Sequence, residues 1–451
     1  MRYIPHTPED VRAMLEAIGL GSIDELFEQV PAELRERARK LELPAPMSEI
    51  QLEKHIGALA SKNRAAQPDT ISFMGAGLYE HIVPQAVSQL LLRAEFLTSY
   101  TPYQPEISQG TTKAIFEFQS MVSELLDMPI ANASMYDGAH ATAEAALMSQ
   151  RVTRRQKVFV AKSVHPEYRH VVQTYLRFQE GSYNEFDFDA KSGRIGLSAL
   201  QEAVTEPDEV ACIIFQTPNF FGVLEDPTEL VAWAHAHKIM VVACFNEPHA
   251  FAISTPPGSF GVDICAGEGM GLGVGLAYGG PSLGIFACRE KHLRLMPGRL
   301  SGRTVDSQGR EGYVLTLSTR EQHIRREKAT SNICTNQGLM ALAAAVYLSL
   351  MGKQGLRELA ELNTSRAHYA QELLSSVSGS RLVYDAPFFN EFVVELPSSA
   401  HSVVQEALNR GILAGYDLGR LNADWSNRLL IAVTETTDRV AIDRLAHLLA
   451  A

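Results

Sequence analysis

Short apolar segments that alternate with amphipathic helices constrain the fold of this 451-residue chain more than any other feature. The apolar segments are residues 158–161, 210–215, 239–245, 263–266 and 283–288. Helical patterns, such as residues 226–237, lie between several of them. Near-continuous apolar strands separated by helices are typical of a mostly parallel sheet that is covered on both faces. We therefore predict an α/β fold with its active site at the carboxyl ends of the strands.

Changes in this pattern divide the chain into three predicted parts. Residues 1–65 are predicted to form a helical N-terminal arm, with helices that include residues 22–30 and 48–62. Residues 66–340 are predicted to form the large α/β domain. Residues 341–451 are predicted to form a smaller C-terminal α+β domain, because long helices there lead into short strands.

Charge and cysteine content narrow the possible partners and the compartment. The net charge of −12 argues against nucleic acid or an anionic membrane surface as a partner. The apolar run at residues 339–352 is too short to span a membrane and predicts a buried helix. The five cysteines are far apart, with no C-x-x-C pair, so neither a disulfide framework nor a zinc site is expected. We predict a cytoplasmic protein with no metal site.

Two glycine-containing segments resemble binding loops. The run from Gly267 to Gly275 fails the G-x-G-x-x-G spacing in every register, so it predicts a loop and not a dinucleotide site. Residues 132–140 precede a predicted helix at 141–150, and a glycine turn at a helix N-terminus is suited to bind an anion. Asp137 would repel a phosphate there, and capping of the helix is the favoured interpretation.

Further candidates lie in a tyrosine-rich loop and in a basic segment. Residues 100–110 contain two tyrosines and two prolines, which suits a site wall or a subunit contact as well as an ordinary surface loop. Residues 289–328 hold ten basic residues against five acids, a local net charge of +5 that could attract an acidic partner or form a solvated face. His165, His249 and His323 are lone candidates, and a lone histidine is more often structural.

Four stretches together carry a family signal: residues 100–110, 132–139, 278–284 and 320–336. They resemble the P-protein of the glycine cleavage system, also called glycine decarboxylase. The resemblance implies a pyridoxal-phosphate-dependent transferase of fold type I, with a seven-stranded sheet domain and a smaller C-terminal domain. It implies an oxidoreductase of glycine catabolism that decarboxylates glycine and passes the aminomethyl group to the lipoyl arm of the H-protein. The length matches one half of the long single-chain P-protein, which in many prokaryotes is split into two subunits, and this chain resembles the N-terminal half. The resemblance therefore implies a heterotetramer with two copies of each subunit.

The resemblance also implies where the cofactor binds. Pyridoxal phosphate needs a lysine for its Schiff base, on the loop after the strand at 263–266. Residues 239–290 contain no lysine, and Met270 takes the expected position. Glu247 lies near the expected position of the acid that pairs with the pyridine nitrogen. We therefore expect the second subunit to carry the cofactor, and this chain to bind none covalently and to support that subunit.

Six residues are expected at a shared site or subunit interface: Tyr100, Tyr103, Gln104, His323, Asn332 and Asn336. Two alternatives remain open at this point. The chain could be an independently active pyridoxal-phosphate enzyme, which would need a lysine from elsewhere in the chain to reach the pocket, with Lys328 the foremost candidate. It could instead be a non-catalytic scaffold or regulatory protein.

Overall fold

The computed structural model describes residues 5–63, 70–179 and 182–450, in two compact units that divide after Gln67. The first unit contains helices α1 (Pro8–Ala17), α2 (Ala32–Arg39) and α3 (Glu49–Ala60). The prediction of a helix at 22–30 is wrong for most of that range, because the structure has a 3-10 helix of five residues there, Ile23–Phe27. The predicted helix at 48–62 is confirmed by α3. Helix α3 starts at a capping box, in which Ser48 accepts the Gln51 N–H and Gln51 accepts the Ser48 N–H.

The second unit contains a seven-stranded sheet, a four-stranded sheet, two two-stranded sheets and most of the helices. Its strands are β1 (Ile71–Ser72), β2 (Ile130–Ala131), β3 (Lys157–Ala161), β4 (Tyr183–Phe186), β5 (Val210–Gln216), β6 (Met240–Phe245), β7 (Ile264–Glu268), β8 (Gly284–Cys288), β9 (Leu300–Val305), β10 (Glu311–Thr316), β11 (Arg381–Leu382), β12 (Glu391–Glu395), β13 (Ile412–Leu413), β14 (Tyr416–Asp417) and β15 (Arg428–Ala432). Its helices are α4 (Gln85–Leu91), α5 (Ala94–Leu97), α6 (Gln109–Leu126), α7 (Gly138–Thr153), α8 (Pro166–Leu176), α9 (Leu197–Ala203), α10 (Thr228–Ala236), α11 (Gln322–Arg325), α12 (Gly338–Ser375), α13 (Ala400–Asn409) and α14 (Arg439–Ala450).

The larger sheet has seven strands in the order β2-β8-β7-β6-β5-β3-β4. Strands β3 to β7 run parallel, whereas β8 runs antiparallel to both of its neighbours. The five predicted apolar segments correspond to β3, β5, β6, β7 and β8. Every residue of β5, β6, β7 and β8 is buried, which is why their sequences show no polar alternation. The mostly parallel seven-stranded sheet is therefore confirmed.

A four-stranded antiparallel sheet, in the order β11-β12-β15-β14, forms a second core with the C-terminal helices. Strand β1 pairs in parallel with β13, and Phe73 lies within this second core. The segment that was predicted to open the large domain is thus packed with the C-terminal part of the chain.

Helix α12 contains the predicted apolar helix at 339–352. It is interrupted at Gly352, where φ is 57°, so two helical segments meet at that residue. Within the described residues, α12 is the one helix long and apolar enough to cross a membrane, by length and composition alone. The hairpin of β9 and β10 lies inside the basic segment and was not predicted.

Candidate functional site

A cavity of about 330 Å³ opens where the parallel strands end. His165 follows β3, Phe220 follows β5, Asn246 follows β6, and Glu268 is the last residue of β7; all four line the cavity. It therefore lies where a parallel sheet is expected to bind ligands. His165, a predicted candidate, donates from Nε2 to the Ala76 carbonyl oxygen over 2.7 Å, and burial lowers the pKa of its imidazole.

Two carboxylates occupy the N-terminus of α7 beside this cavity. Asp137 Oδ1 accepts the His140 N–H at 2.8 Å, which confirms the predicted cap. Glu268 Oε2 accepts the Gly138 N–H at 3.1 Å, and burial raises the pKa of this carboxyl to about 7. A helix N-terminus attracts anions through its free N–H groups. Here those groups already face acidic side chains, so a phosphate would lose its donors and meet negative charge.

The cavity offers no cationic side chain of its own: among the described residues that line it, none is Lys or Arg. Met270, at the expected lysine position, is 4% exposed and does not line the cavity. Lys328 is exposed and lies outside the lining as well. The glycine run around Met270 is a closely packed loop, since a Cβ on Gly273 would lie 2.7 Å from Tyr347 Cβ.

Glu247 faces a buried network instead of the cavity. Its Oε2 lies 2.9 Å from His81 Nε2 and accepts the Asn390 side-chain amide at 3.0 Å, and its Oε1 lies 2.8 Å from His249 Nδ1. His81 Nδ1 lies 3.0 Å from Glu435 Oε2. The residue that lines the cavity after β6 is Asn246, the neighbour of Glu247.

Electrostatics in this network favour a charged His81. Burial lowers the pKa of His81, but the facing carboxylates of Glu247 and Glu435 outweigh it and raise the pKa to about 10. Burial likewise raises the pKa of Glu247, but His81 and His249 bring it well below its usual value. The network is therefore an imidazolium held between two carboxylates, and it joins segments that are far apart in the chain.

Nitrogen and oxygen atoms of His81, Glu247 and His249 lie within 4.8 Å of one another, close enough to ligate a metal ion. The hydrogen bonds of the network already satisfy these atoms, including a contact of 3.0 Å between His249 Nε2 and the Tyr347 hydroxyl. The absence of a metal thus stays a prediction. Both ring nitrogens of His249 are in hydrogen-bond contact with buried side chains, which is consistent with a structural role for this residue.

The predicted loop at 100–110 meets the predicted segment at 320–336 around Arg299. Its guanidinium donates to Thr101 Oγ1 at 2.9 Å, to the Tyr103 hydroxyl at 3.3 Å and to the Cys334 carbonyl oxygen at 2.7 Å. Arg299 Nε lies 3.4 Å from Glu321 Oε2, and its guanidinium carbon lies 5.3 Å from the centre of the Tyr103 ring.

His323 completes this group, which we call the Arg299 cluster (Thr101, Tyr103, Arg299, Glu321 and His323). The rings of Tyr103 and His323 meet edge to face, with centroids 5.9 Å apart, and His323 Nδ1 lies 3.5 Å from Glu321 Oε2. Arg299 is 3% exposed, whereas Tyr103 is 54% exposed. A buried cation thus supports an exposed aromatic surface.

Asn336 and Tyr100 line a second cavity, of about 240 Å³, next to the Arg299 cluster. Asn336 Nδ2 donates to the Ala133 carbonyl oxygen at 3.1 Å and to Ser134 Oγ at 3.0 Å. The structure therefore brings together Tyr100, Tyr103, His323 and Asn336 from the predicted set. Gln104 and Asn332 are exposed on the same segments.

Several residues of these sites were not singled out in the sequence. Glu268 had a usable signal, because it is the one charged residue between Asp263 and Arg289 and lies two residues after the predicted strand at 263–266. Arg299 was one basic residue among ten, and nothing local distinguished it. Of the others, Arg325, Arg326 and Lys328 are exposed and carry most of the free positive charge beside His323.

Comparisons with known proteins agree with this architecture. The family model described as glycine cleavage system P-protein matches residues 1–449. The protein named "Probable glycine dehydrogenase (decarboxylating) subunit 1" from Desulforamulus reducens is 48% identical over 452 residues, which cover 100% of both chains. Its namesake from Carboxydothermus hydrogenoformans is 49% identical, over 100% of this chain and 99% of that protein.

Solved structures give the same result for the fold. The crystal structure of glycine decarboxylase (P-protein) of the glycine cleavage system, in inhibitor-bound form, is 39% identical with a TM-score of 0.91, covering 100% of this chain and 99% of that chain. A sphingosine-1-phosphate lyase from Burkholderia pseudomallei shares the fold alone, at 15% identity and a TM-score of 0.65 over 91% of each chain. The fold is that of the pyridoxal-phosphate-dependent enzymes of fold type I, and the chain belongs to the glycine cleavage system P-protein family.

Proposed function

We propose that this chain is a subunit of glycine decarboxylase that carries no cofactor chemistry of its own and completes the active site of a second, cofactor-bearing subunit. In this role the assembled enzyme decarboxylates glycine and transfers the aminomethyl group to the lipoyl arm of the H-protein. Family membership and the relatives named as subunit 1 support the assignment to this enzyme.

The composition of the cavity at the sheet edge carries the proposal that the cofactor lies elsewhere. Pyridoxal phosphate requires a lysine for covalent attachment and donors for its phosphate. The residues present do not fit it: no lysine lines the cavity among the described residues, and Asp137 and Glu268 occupy the N-terminus of α7. An independently active enzyme would need a lysine from elsewhere to reach this cavity, and Lys328, the foremost candidate, does not line it.

The Arg299 cluster supports a role at a shared site. Tyr103 and His323 present exposed rings that meet edge to face, and the Tyr103 hydroxyl accepts a hydrogen bond from the buried Arg299; Tyr100 is exposed on the same loop as Tyr103. Aromatic and histidine side chains held in this manner are typical of binding surfaces. Gln104, Asn332 and Asn336 lie on the same two segments, and we propose that all six contact the partner subunit or its bound substrate.

Direct capture of the cofactor tests the first part of the proposal. The purified chain is mixed with pyridoxal phosphate, treated with borohydride and digested for peptide mass analysis. We expect no lysine of this chain to carry the reduced adduct, whereas a cofactor-bearing second subunit treated in the same mixture becomes labelled. A stoichiometric adduct on one lysine of this chain would overturn the proposal and favour the independently active enzyme.

Assembly tests the second part. We propose a heterotetramer with two copies of each subunit, because closed symmetric assemblies are the rule for such folds. Light scattering of the mixed subunits is expected to give that mass. A failure of the two subunits to associate would favour the scaffold or regulatory alternative.

We also propose a cytoplasmic location for this chain, which cell fractionation tests.

Exposed basic residues beside His323 suggest how the H-protein docks. Arg325, Arg326 and Lys328 are exposed on and after α11, and a charged surface of this kind gives salt-dependent association with an acidic partner. The double substitution Arg325→Glu and Arg326→Glu is expected to weaken H-protein binding, and added salt is expected to weaken it in the wild type. An affinity that is independent of salt would contradict electrostatic docking.

A further inference from the structure

Arg299 connects two segments of the Arg299 cluster, which also meet at the ring contact between Tyr103 and His323. It lies at the start of the β9–β10 hairpin's sequence, next to Leu300, and its side chain reaches the loop at 101–103 and the backbone at Cys334. These partners are 196 and 198 residues away on one side and 35 residues away on the other. One buried side chain is therefore hydrogen-bonded to both exposed segments and helps to hold them together.

The chemistry of these contacts requires a guanidinium. Three acceptors, Thr101 Oγ1, the Tyr103 hydroxyl and the Cys334 carbonyl oxygen, lie around the two terminal nitrogens, and the guanidinium carbon lies over the Tyr103 ring, 5.3 Å from its centre. A planar fork can serve these acceptors in fixed directions, whereas a lysine ammonium is a point charge without this geometry. Lysine would keep the charge near Glu321 but lose the alignment of the loop.

We infer that Arg299 is a positioning residue for the shared site: it fixes the Tyr103 ring and, through Glu321 and the Tyr103 contact, the orientation of His323. The inference rests on the proposed function, since it assigns Arg299 a role in the reaction of the assembled enzyme. Arg299 is 3% exposed and acts through Tyr103, so it need not touch the substrate. Misplacement of a positioned group by about 1 Å can cost a factor of about 100 in rate.

A double-mutant cycle on the assembled enzyme tests this role. The variants are Arg299→Lys, Tyr103→Phe and the combination of both. Arg303→Lys is the matched control, because Arg303 is an exposed arginine on β9, the strand that begins directly after Arg299. Glycine–bicarbonate exchange is measured per assembled complex, and thermal unfolding is recorded for each variant. A purely structural role would make the exchange rate and the thermal stability fall together, whereas a positioning role lowers the rate more than the stability.

We expect Arg299→Lys to lower the exchange rate about tenfold or more while the complex still assembles, and Arg303→Lys to keep the wild-type rate. The double variant is expected to be no slower than the slower single variant, because both changes release the same ring. A double variant whose loss equals the product of the two single losses would overturn the inference, as would a wild-type rate for Arg299→Lys. Inactivity of the wild-type mixture would instead contradict the proposed function itself.

Discussion

The cavity at the carboxyl edge of the sheet and the Arg299 cluster differ in the charge of the side chains that surround them. At the sheet edge, acidic groups such as Asp137 and Glu268 occupy the positions where an anion would bind, and no cation lines the cavity among the described residues. In the Arg299 cluster, a buried cation supports exposed rings beside free basic residues. The difference supports our proposals that the cofactor binds in the second subunit and that the exposed surface of the Arg299 cluster contacts that subunit.

The largest effect is expected from a substitution in the buried network of His81, Glu247 and Glu435. Substitution His81→Asn leaves the buried carboxylates of Glu247 and Glu435 without their shared cation, so we expect the free energy of unfolding to fall by about 3–5 kcal/mol. His170→Asn, at an exposed position on α8, is the control and should change it by less than about 0.5 kcal/mol. Urea unfolding at pH 7 measures both, and equal effects would contradict the ion network.

The same network predicts a dependence of stability on pH. The pKa of His81 is raised from 6.5 to about 10 in the folded chain, so its contribution is fully present below about pH 6.5 and is lost as the pH rises through 10. The wild type should therefore lose more stability between pH 7 and pH 10 than His81→Asn does. Parallel pH profiles for the two proteins would show that His81 is not charged in the native state.

Placing a lysine at position 270 tests whether the lack of a lysine is the sole reason that this chain does not bind pyridoxal phosphate covalently. Met270→Lys places an ammonium at a position that is 4% exposed and outside the cavity lining, and we expect a loss of about 3 kcal/mol in unfolding free energy. Met270→Leu, the size-matched control, should cost less than about 1.5 kcal/mol. Borohydride treatment with pyridoxal phosphate should label neither variant; an adduct on residue 270 would show that the carboxylates at α7 do not exclude the cofactor.

A smaller effect is expected where the second cavity meets the Arg299 cluster. Asn336→Ala removes two hydrogen bonds, to the Ala133 carbonyl oxygen and to Ser134 Oγ, and should cost about 1–2 kcal/mol of stability. Asn332→Ala, at an exposed position on the same segment, should cost less than about 0.5 kcal/mol. If chemical denaturation ranks them in the opposite order, Asn336 does not fasten this segment.

Much of the sheet could be predicted from the sequence, because a strand that is buried on both faces consists mainly of apolar residues. The central strands β5 to β8 consist almost wholly of buried residues and appear as apolar runs. Strand β4 was missed because three of its four residues, Tyr183–Phe186, are only partly buried and two are polar, and β2 because two residues form no pattern.

The candidate sites were predicted less completely, since they depend on contacts between distant residues. Asp137 as a cap follows from local sequence and is confirmed. The pairing of His81 with Glu247 joins residues 166 positions apart, and Arg299 reaches Tyr103 over 196 positions. No local pattern marks such contacts, so the sequence identified the segments of the Arg299 cluster but not the arginine that connects them.

The central claim is that this chain takes part in the glycine decarboxylase reaction only together with a cofactor-bearing subunit. Exchange of labelled bicarbonate into the glycine carboxyl group measures this most directly, in the presence of pyridoxal phosphate and H-protein. We predict that the chain alone gives no exchange, that the second subunit alone gives little, and that the mixture gives full activity at equimolar ratio. Exchange by this chain alone, at a rate comparable to that of the mixture, would contradict the account.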